Sequence, residues 1–461
     1  MHPKFVTVVA ASSLAMGLVA VQRPALACGG CFAPPQDNTV VTDHRMVLSI
    51  SPQKTTLYDQ IRYQGSPASF AWVLPIVGTV DVGVSADALF STLDSATAVQ
   101  VIAPPLNCPP PPYCPGTGRG FASSMDASAA ATPGGVTVLK QETVGPYETV
   151  QLRSTDPQAL NTWLADHGYT IPSDVAPVIA SYVTEHFDFL ALKLVPGATV
   201  QAMRPVRVTT QGASPTLPLR MVAAGTGAVV GITLWTVGDG KWEPQNFPVF
   251  SIREDELIWD WTTSSSNFKT LRSQKAEQLG GAAWESESSV WADRQGLRSS
   301  IFSRDQARTY DPRTMQSTEA AAEYKEVRDA DGKLVKTATD VFNEDMAALL
   351  GGSTGTTRIS RMRADLPRAS LANDLLLRAA VDQAVLSGIR TVTKEANEPQ
   401  CPIYSGCEYV GTASRSEAQA RLSESSGCSS TPGVRSWGSV VGLCGVGLIA
   451  ALARRRIRRT R

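Results

Sequence analysis

The stretch Gln60-Ile61-Arg62-Tyr63-Gln64-Gly65-Ser66-Pro67-Ala68-Ser69-Phe70-Ala71-Trp72-Val73-Leu74-Pro75 decides the fold class of this chain. Ile61 and Tyr63 alternate with polar neighbours, Gly65 to Ser69 carry turn residues, and Phe70 to Leu74 form an unbroken apolar run stopped by Pro75. Alternation marks a half-buried strand, and a short unbroken run marks a fully buried one. The stretch therefore reads as a core hairpin. Burying Phe70 and Trp72 removes roughly 150 to 250 Å² each from water, worth several kcal/mol together.

Working outward, residues 136–144, 147–153, 187–195, 204–210, 217–223 and 229–237 read as short strands separated by Gly, Pro and Ser. Such a succession argues for a largely antiparallel sheet with helices beside it. Ser85 is placed to cap a helix over 86–96. Asp156 caps another, with Pro157 in its first turn and Leu160, Trp163 and Leu164 on one face, and Ser173 opens a third to about 185. Beyond Glu254, residues 268–284, 317–327, 341–350 and 370–385 carry helical spacing, the last with Leu371, Leu375 and Ala379 as one stripe. The expected fold class is α+β, a mainly antiparallel sheet in the first half with a helix-rich second half, plus one C-terminal transmembrane helix. Trp72, Leu74, Trp163, Leu190, Leu192, Leu219 and Leu234 are expected in the core. Prolines and small residues make 103–135 an exposed loop.

The two ends read as targeting segments. Lys4, the apolar residues 5–21 and Ala25-Leu26-Ala27 have the form of a secretory signal over 1–27, cleaved after Ala27. Cys28 then opens the mature chain. A cysteine there also raises lipoprotein processing, but Ala25 stands where that signal prefers leucine, and ordinary cleavage is expected. At the other end, 437–453 is an uncharged apolar run, about 25 Å long as a helix at 1.5 Å per residue. Trp437 suits one membrane interface, and Arg454, Arg455, Arg456, Arg458, Arg459 and Arg461 place the tail 454–461 in the cytoplasm. The expected organisation is a signal over 1–27, a strand-rich part over 28–255, a helix-rich part over 256–395, a disulfide-containing region and flexible spacer over 396–436, and the membrane or sorting helix.

The formal net charge of zero is misleading. Taking Lys4, Arg23 and the seven arginines after Cys428 from the 42 basic residues leaves 33 against 42 acids, so the body between carries −9. An acidic body repels phosphate backbones, which excludes nucleic acid as the expected partner.

Six cysteines fall in three close pairs, Cys28/Cys31, Cys108/Cys114 and Cys401/Cys407. Six cysteines permit fifteen pairings; in an oxidising compartment proximity favours these three as local staples. Cys28-Gly29-Gly30-Cys31 has redox-motif spacing but lacks the strand-to-helix setting such motifs need, so a staple is expected. His44, His167 and His186 are isolated, and no metal or cofactor residue is expected. His167, before the helix-ending Gly168, suits a partly charged imidazole at a helix C-terminus. Gly351-Gly352-Ser353-Thr354-Gly355 has nucleophile-elbow spacing but follows a helix instead of a strand; Ser51-x-x-Lys54 lacks its companion motifs. Asp255, Glu256 and Asp260 beside Trp259 and Trp261 suit a solvated face or a sugar-binding strip. No catalytic residue is assigned.

Several motifs carry a resemblance by their order. Cys28-Gly29-Gly30, Tyr63-x-Gly65 and Phe70 to Pro75 are followed by Val144-Gly145-Pro146-Tyr147, Ala159-Leu160-x-x-Trp163-Leu164 and Gly168-Tyr169, then Thr357-Arg358-Ile359 and Asp374-Leu375. Together they resemble bacterial secreted proteins grouped as domain of unknown function 2330, over roughly 28–390. The resemblance brings no activity and no catalytic residues. Gly427-Cys428, a small-residue spacer, a short apolar helix and terminal arginines resemble the myxobacterial C-terminal sorting signal (MYXO-CTERM). That resemblance implies processing near Cys428 and delivery to the cell surface.

The expected function is a non-enzymatic binding or envelope-structural role for an exported protein, anchored in the membrane or sorted to the surface. The alternative is an envelope enzyme, either a thiol oxidoreductase through Cys28 and Cys31 or a carbohydrate-active protein using Asp255, Glu256 and Asp260. Expected partners are the membrane, signal peptidase and a sorting protease, with an envelope protein or glycan ligand left open.

Overall fold

The computed structural model describes residues 31–32, 40–64, 71–110, 137–167, 169, 175–198, 203–222, 228–307, 309–311, 316–318, 322–329, 331–405 and 408–425. The chain divides into two compact units, one of Met1–Pro105 with Pro115–Glu398 and one of Leu106–Cys114 with Pro399–Arg461.

Four layers build the larger unit. Its first half supplies β1 (Cys31–Phe32), β2 (Val40–Ile50), β3 (Lys54–Gln64), β4 (Ala71–Ile76), β5 (Asp81–Val84) and α1 (Asp87–Thr97). Next come β6 (Thr137–Val144), β7 (Tyr147–Arg153), α2 (Pro157–Asp166), α3 (Ala176–Thr184), β8 (Asp188–Leu194), β9 (Val206–Gln211), α4 (Leu219–Val222) and β10 (Val229–Gly238). The chain then adds β11 (Val249–Phe250), α5 (Phe268–Gln278), β12 (Trp284–Asp293), α6 (Arg294–Asp305), α7 (Ala338–Leu350) and β13 (Thr356–Pro367). One sheet has the order β1-β4-β8-β7-β6; the other has the order β11-β12-β13-β10-β2-β3-β9-β5. Pairing is antiparallel except β10 with β2 and β11 with β12.

Alternation along the strands explains the layering, because successive side chains point to opposite faces. Trp72, Leu74 and Ile76 of β4 join Leu190 and Leu192 of β8 in a core shared with Met46, Leu48, Ile232 and Leu234 of the large sheet. Val73, Phe189 and Ala191 point the other way, onto Leu160, Trp163 and Leu164 of α2 and Ile179 of α3. On the far side of the large sheet, Val47, Tyr58 and Trp235 pack against Phe90 and Leu93 of α1, Ile301 of α6 and Met346 of α7. The unbroken apolar run of β4 thus reflects a strand covered on both faces. All seven expected core residues are buried.

The hairpin reading of the opening stretch needs correction. β3 pairs with β2 and β9 in the large sheet, whereas β4 pairs with β8 and β1 in the small one, Leu74 opposite Leu190. The stretch carries the chain between two sheets, and residues 65–70 at the crossing lie outside the described residues. Ser51-x-x-Lys54 is the turn of the β2–β3 hairpin: the Ser51 hydroxyl donates to the Lys54 carbonyl at 2.8 Å and accepts its N–H at 3.1 Å.

The α+β class holds, but residues 256–395 mix helix with strand. Helices form at α7 and at α5, which ends at Gln278, short of the expected 284, where Trp284 begins β12. In place of a helix over 370–385, Leu375–Ala379 is a strand between Thr216–Leu217 and Trp242–Pro244. Leu375 and Leu377 are both buried, a period of two that the helical stripe concealed. The two ends of the expected helix over 317–327 fall in strands, Gln316–Thr318 and Val327–Arg328. Leu219–Val222 is a helical turn where a strand was expected. β12 lacks an apolar signal because polar side chains, Glu285 to Ser289, fill its buried positions after Trp284, and β13 interleaves buried Arg358 and Ser360 with Ile359 and Met362. Arg272 pairs with Glu285 and Glu287, and Arg361 joins Glu287 to Asp94 of α1, so these charges enter the interior compensated.

In the smaller unit a ribbon of Gln400–Ser405 and Glu408–Ser414 leads into the helix Arg415–Ser425. Cys108 is bonded to Cys401, at an S–S distance of 2.01 Å across 293 residues of sequence. This replaces the expected pairs Cys108/Cys114 and Cys401/Cys407. Proximity in sequence ranks loop closure in the unfolded chain, but the folded unit sets these two Cα atoms 5.4 Å apart, within bridging range. Cys28, Cys114, Cys407 and Cys428 lie outside the described residues, as do the leader 1–27 and the run 437–453. No described helix is long and apolar enough to cross a membrane.

Candidate functional site

Between the two sheets lies a cleft enclosing about 590 Å³, counted out to its opening on solvent. Leu48, Leu57 and Val208 wall one side, Leu74, Pro75 and Ile76 the other. Two of its polar side chains, Thr55 and Asp374, are already engaged. Thr55 donates its hydroxyl to the Gly212 carbonyl at 3.1 Å and accepts the Ser214 N–H at 2.8 Å. Asp374, the carboxylate on the cleft wall, accepts the Tyr182 hydroxyl at 2.5 Å and Arg220 Nη2 at 2.8 Å, and Arg220 stacks 4.1 Å over the Tyr182 ring. Burial, then the Asp374 charge, push the Tyr182 phenol far above its ordinary value, so it stays a donor.

A second pocket, about 270 Å³ when counted out to its opening on solvent, adjoins the cleft, sharing Leu57, Leu74 and Pro218 with it. Trp72, Met46 and Met221 add apolar walls, and Asp59 is its charged residue. Asp59 and Met46 are register partners on β3 and β2, which points Asp59 into the space between the sheets. His44, also buried, brings Nδ1 to 3.5 Å from Asp59 Oδ1.

On the outer face of the small sheet, Lys193 is 2% exposed, with Glu148 Oε2 at 3.4 Å. Burial lowers its pKa to about 8, against the pull of Glu148. Its Nζ lies 5.8 Å from the Tyr169 ring centre, and neither Lys193 Nζ, Tyr169 Oη nor His167 Nδ1 has a hydrogen-bond partner. An amine held near neutrality can exchange protons or act as a nucleophile. A lone lysine in the apolar run Phe189 to Leu194 is the signal that marks it in the sequence. His167 corrects an expectation. It ends α2 but stacks on Trp163 at 4.2 Å, and burial with Lys193 lowers its pKa, which disfavours a cation there.

The other sequence candidates are placed apart. Asp255 pairs with Arg253, Glu256 with Lys275, and Asp260 accepts the Asn397 amide, each held below the usual carboxylate range by that hydrogen bond. Glycosidic acid catalysis needs one carboxyl raised, and Trp259 and Trp261 meet at 67° without forming a flat sugar platform. Gly351 to Gly355 lie between α7 and β13, with Gly351 at φ +72° ending the helix. Cys31 pairs through its backbone with Trp72. Among the described residues, no three His, Cys, Asp or Glu groups converge as metal ligands.

Comparison with solved structures finds a mutated baculovirus P35 after caspase cleavage, at 8% identity, covering 74% of this chain and 100% of that one with a TM-score of 0.27. Similarity at that level carries no argument about either molecule. No curated protein matches the chain. The family model described as an uncharacterized protein conserved in bacteria, DUF2330, matches residues 23–276. That span takes in the cleft walls except Asp374 and leaves out β12, α6, α7 and β13. The match exceeds half of the 461 residues, and this chain belongs to the DUF2330 family.

Proposed function

We propose that this is an exported, C-terminally anchored envelope protein that binds an apolar small molecule between its two sheets without transforming it. The cleft carries this reading: a concave space with apolar walls and polar groups fixed at its edge is the usual form of a small-molecule site. Asp374 is saturated by Arg220 and Tyr182, so it supplies an immobile rim in place of an acid–base group. Saturable binding of the neutral fluorophore N-phenyl-1-naphthylamine, blocked by filling the cleft, supports the reading; absence of binding refutes it.

Export and anchoring rest on the leader over 1–27 and on the apolar run 437–453 with its terminal arginines. The tail resembling a sorting signal adds processing near Cys428. Intact-mass measurement of envelope material decides this: loss of everything after about Cys428 supports processing, while a mass retaining Trp437 to Arg461 leaves only the anchor.

A further inference from the structure

Resting on the cleft reading above, we propose that the second pocket takes the ammonium head of an apolar amine, with Asp59 as its counter-ion and Trp72 beside it. Asp59 is 2% exposed, and neither of its carboxyl oxygens accepts a hydrogen bond. The 3.5 Å to His44 Nδ1 exceeds an N–H···O hydrogen bond, so both oxygens keep their accepting capacity.

Other buried acids in the protein are treated differently. Asp345 accepts from Ser85, Tyr324 and Arg207, Asp188 takes both arms of Arg153 at 2.7 Å, and Glu285 and Glu287 pair with Arg272. A carboxyl withdrawn from water without such partners carries a large desolvation cost, and folds retain groups of this kind where they act on something. Asp59 also lines a small gap that its neighbours leave unfilled.

The walls narrow the ligand. Trp72 offers an aromatic surface of the type that attracts cations, and Met46 and Met221 supply polarizable thioethers that adapt to an alkyl chain. An anion would meet Asp59 as a like charge. A neutral hydrocarbon would leave both oxygens unsatisfied. An inorganic divalent cation needs more oxygen ligands than this pocket holds. A primary ammonium on an apolar body satisfies the carboxylate with charge-assisted hydrogen bonds and fills the space toward the cleft.

The test uses the full chain in lipid nanodiscs, with the signal of empty nanodiscs subtracted, and displacement of N-phenyl-1-naphthylamine by decylamine, decanol and decanoate below their micelle concentrations. Decylamine should displace the probe at a concentration about tenfold or more below decanol, with decanoate weakest. In Asp59→Asn the amine-to-alcohol ratio should fall to about one. Equal potency of amine and alcohol in the natural protein overturns the inference, as does a preference that survives Asp59→Asn. Should that variant not fold, the ratio in the natural protein decides alone. Failure of the probe itself to bind refutes the cleft reading, which is a distinct outcome from probe binding without amine preference.

Discussion

Ser85 donates its hydroxyl to Asp345 across 2.6 Å, tying the end of β5 to the middle of α7. The same carboxylate accepts the Tyr324 hydroxyl at 2.7 Å and Arg207 Nη1 at 3.3 Å, while the Tyr58 hydroxyl reaches the Asp345 carbonyl at 3.1 Å. Burial pushes the Asp345 carboxyl up against the pull of Arg207 and the two hydroxyls. Asp345→Asn strips Arg207 of its counter-charge inside the fold, and the expected cost is about 3 to 5 kcal/mol. Ser85→Ala removes one of several hydrogen bonds, at about 1 to 2 kcal/mol. Urea unfolding of the two variants should return that order.

Glu323 gives the fold a dependence on pH. Burial and then Asp87 raise its pKa from 4.5 to about 7, with the Asp87 N–H and Arg204 opposing and Asp305 adding to the rise. Between those values the folded chain holds a proton that the unfolded chain has lost. This contribution to stability is complete below pH 4.5 and is lost as pH rises through 7. Glu323→Gln should remove this part of the decline, seen as a flatter urea midpoint against pH from 4.5 to 7.

Lys193 works in the opposite direction. Its pKa falls from 10.5 unfolded to about 8 folded, so between those values the unfolded chain binds the extra proton and stability rises with pH. Lys193→Met should remove that rise and stabilise the protein by about 1 kcal/mol at pH 7, since it replaces a buried charge with a side chain of similar length. Thermal melts from pH 7 to 11 measure both effects.

The disulfide makes a mapping prediction. Peptides from a non-reducing digest should link Cys108 to Cys401, and Cys108→Ser with Cys401→Ser should loosen the ribbon around Gln400–Ser405 first. Amide exchange localised to 400–414 checks the second part. A Cys108–Cys114 peptide would contradict the fold of the smaller unit.

The strands β4, β6, β7, β8, β9 and β10 were legible because their apolar patterns are strong, and Trp72, Leu74, Leu190 and Leu234 declared themselves as core. What the local pattern could not show is which strand lies across from which. Ile61, Tyr63 and the Phe70 to Leu74 run read as one hairpin, yet serve two sheets. β12 and β13 were hidden because Glu285, Glu287 and Arg358 look like surface residues until Arg272 and Ser289 are seen beside them. Ser85 sits where a helix cap belongs, but its hydroxyl goes to Asp345, and α1 begins without a side-chain cap. Asp59 was illegible for the same reason: a polar residue in an alternating strand reads as solvent-facing unless a second sheet covers that face.

The most direct test of a binding site between the sheets is titration of the natural protein and of Thr210→Trp with N-phenyl-1-naphthylamine. Thr210 lies on the cleft wall in β9, where an aromatic residue suits the strand and fills the space. The account predicts saturable fluorescence enhancement with about one probe per chain. In Thr210→Trp the affinity should weaken by about tenfold or more while the melting temperature holds. No saturable binding to the natural protein, or equal binding to both, would contradict it.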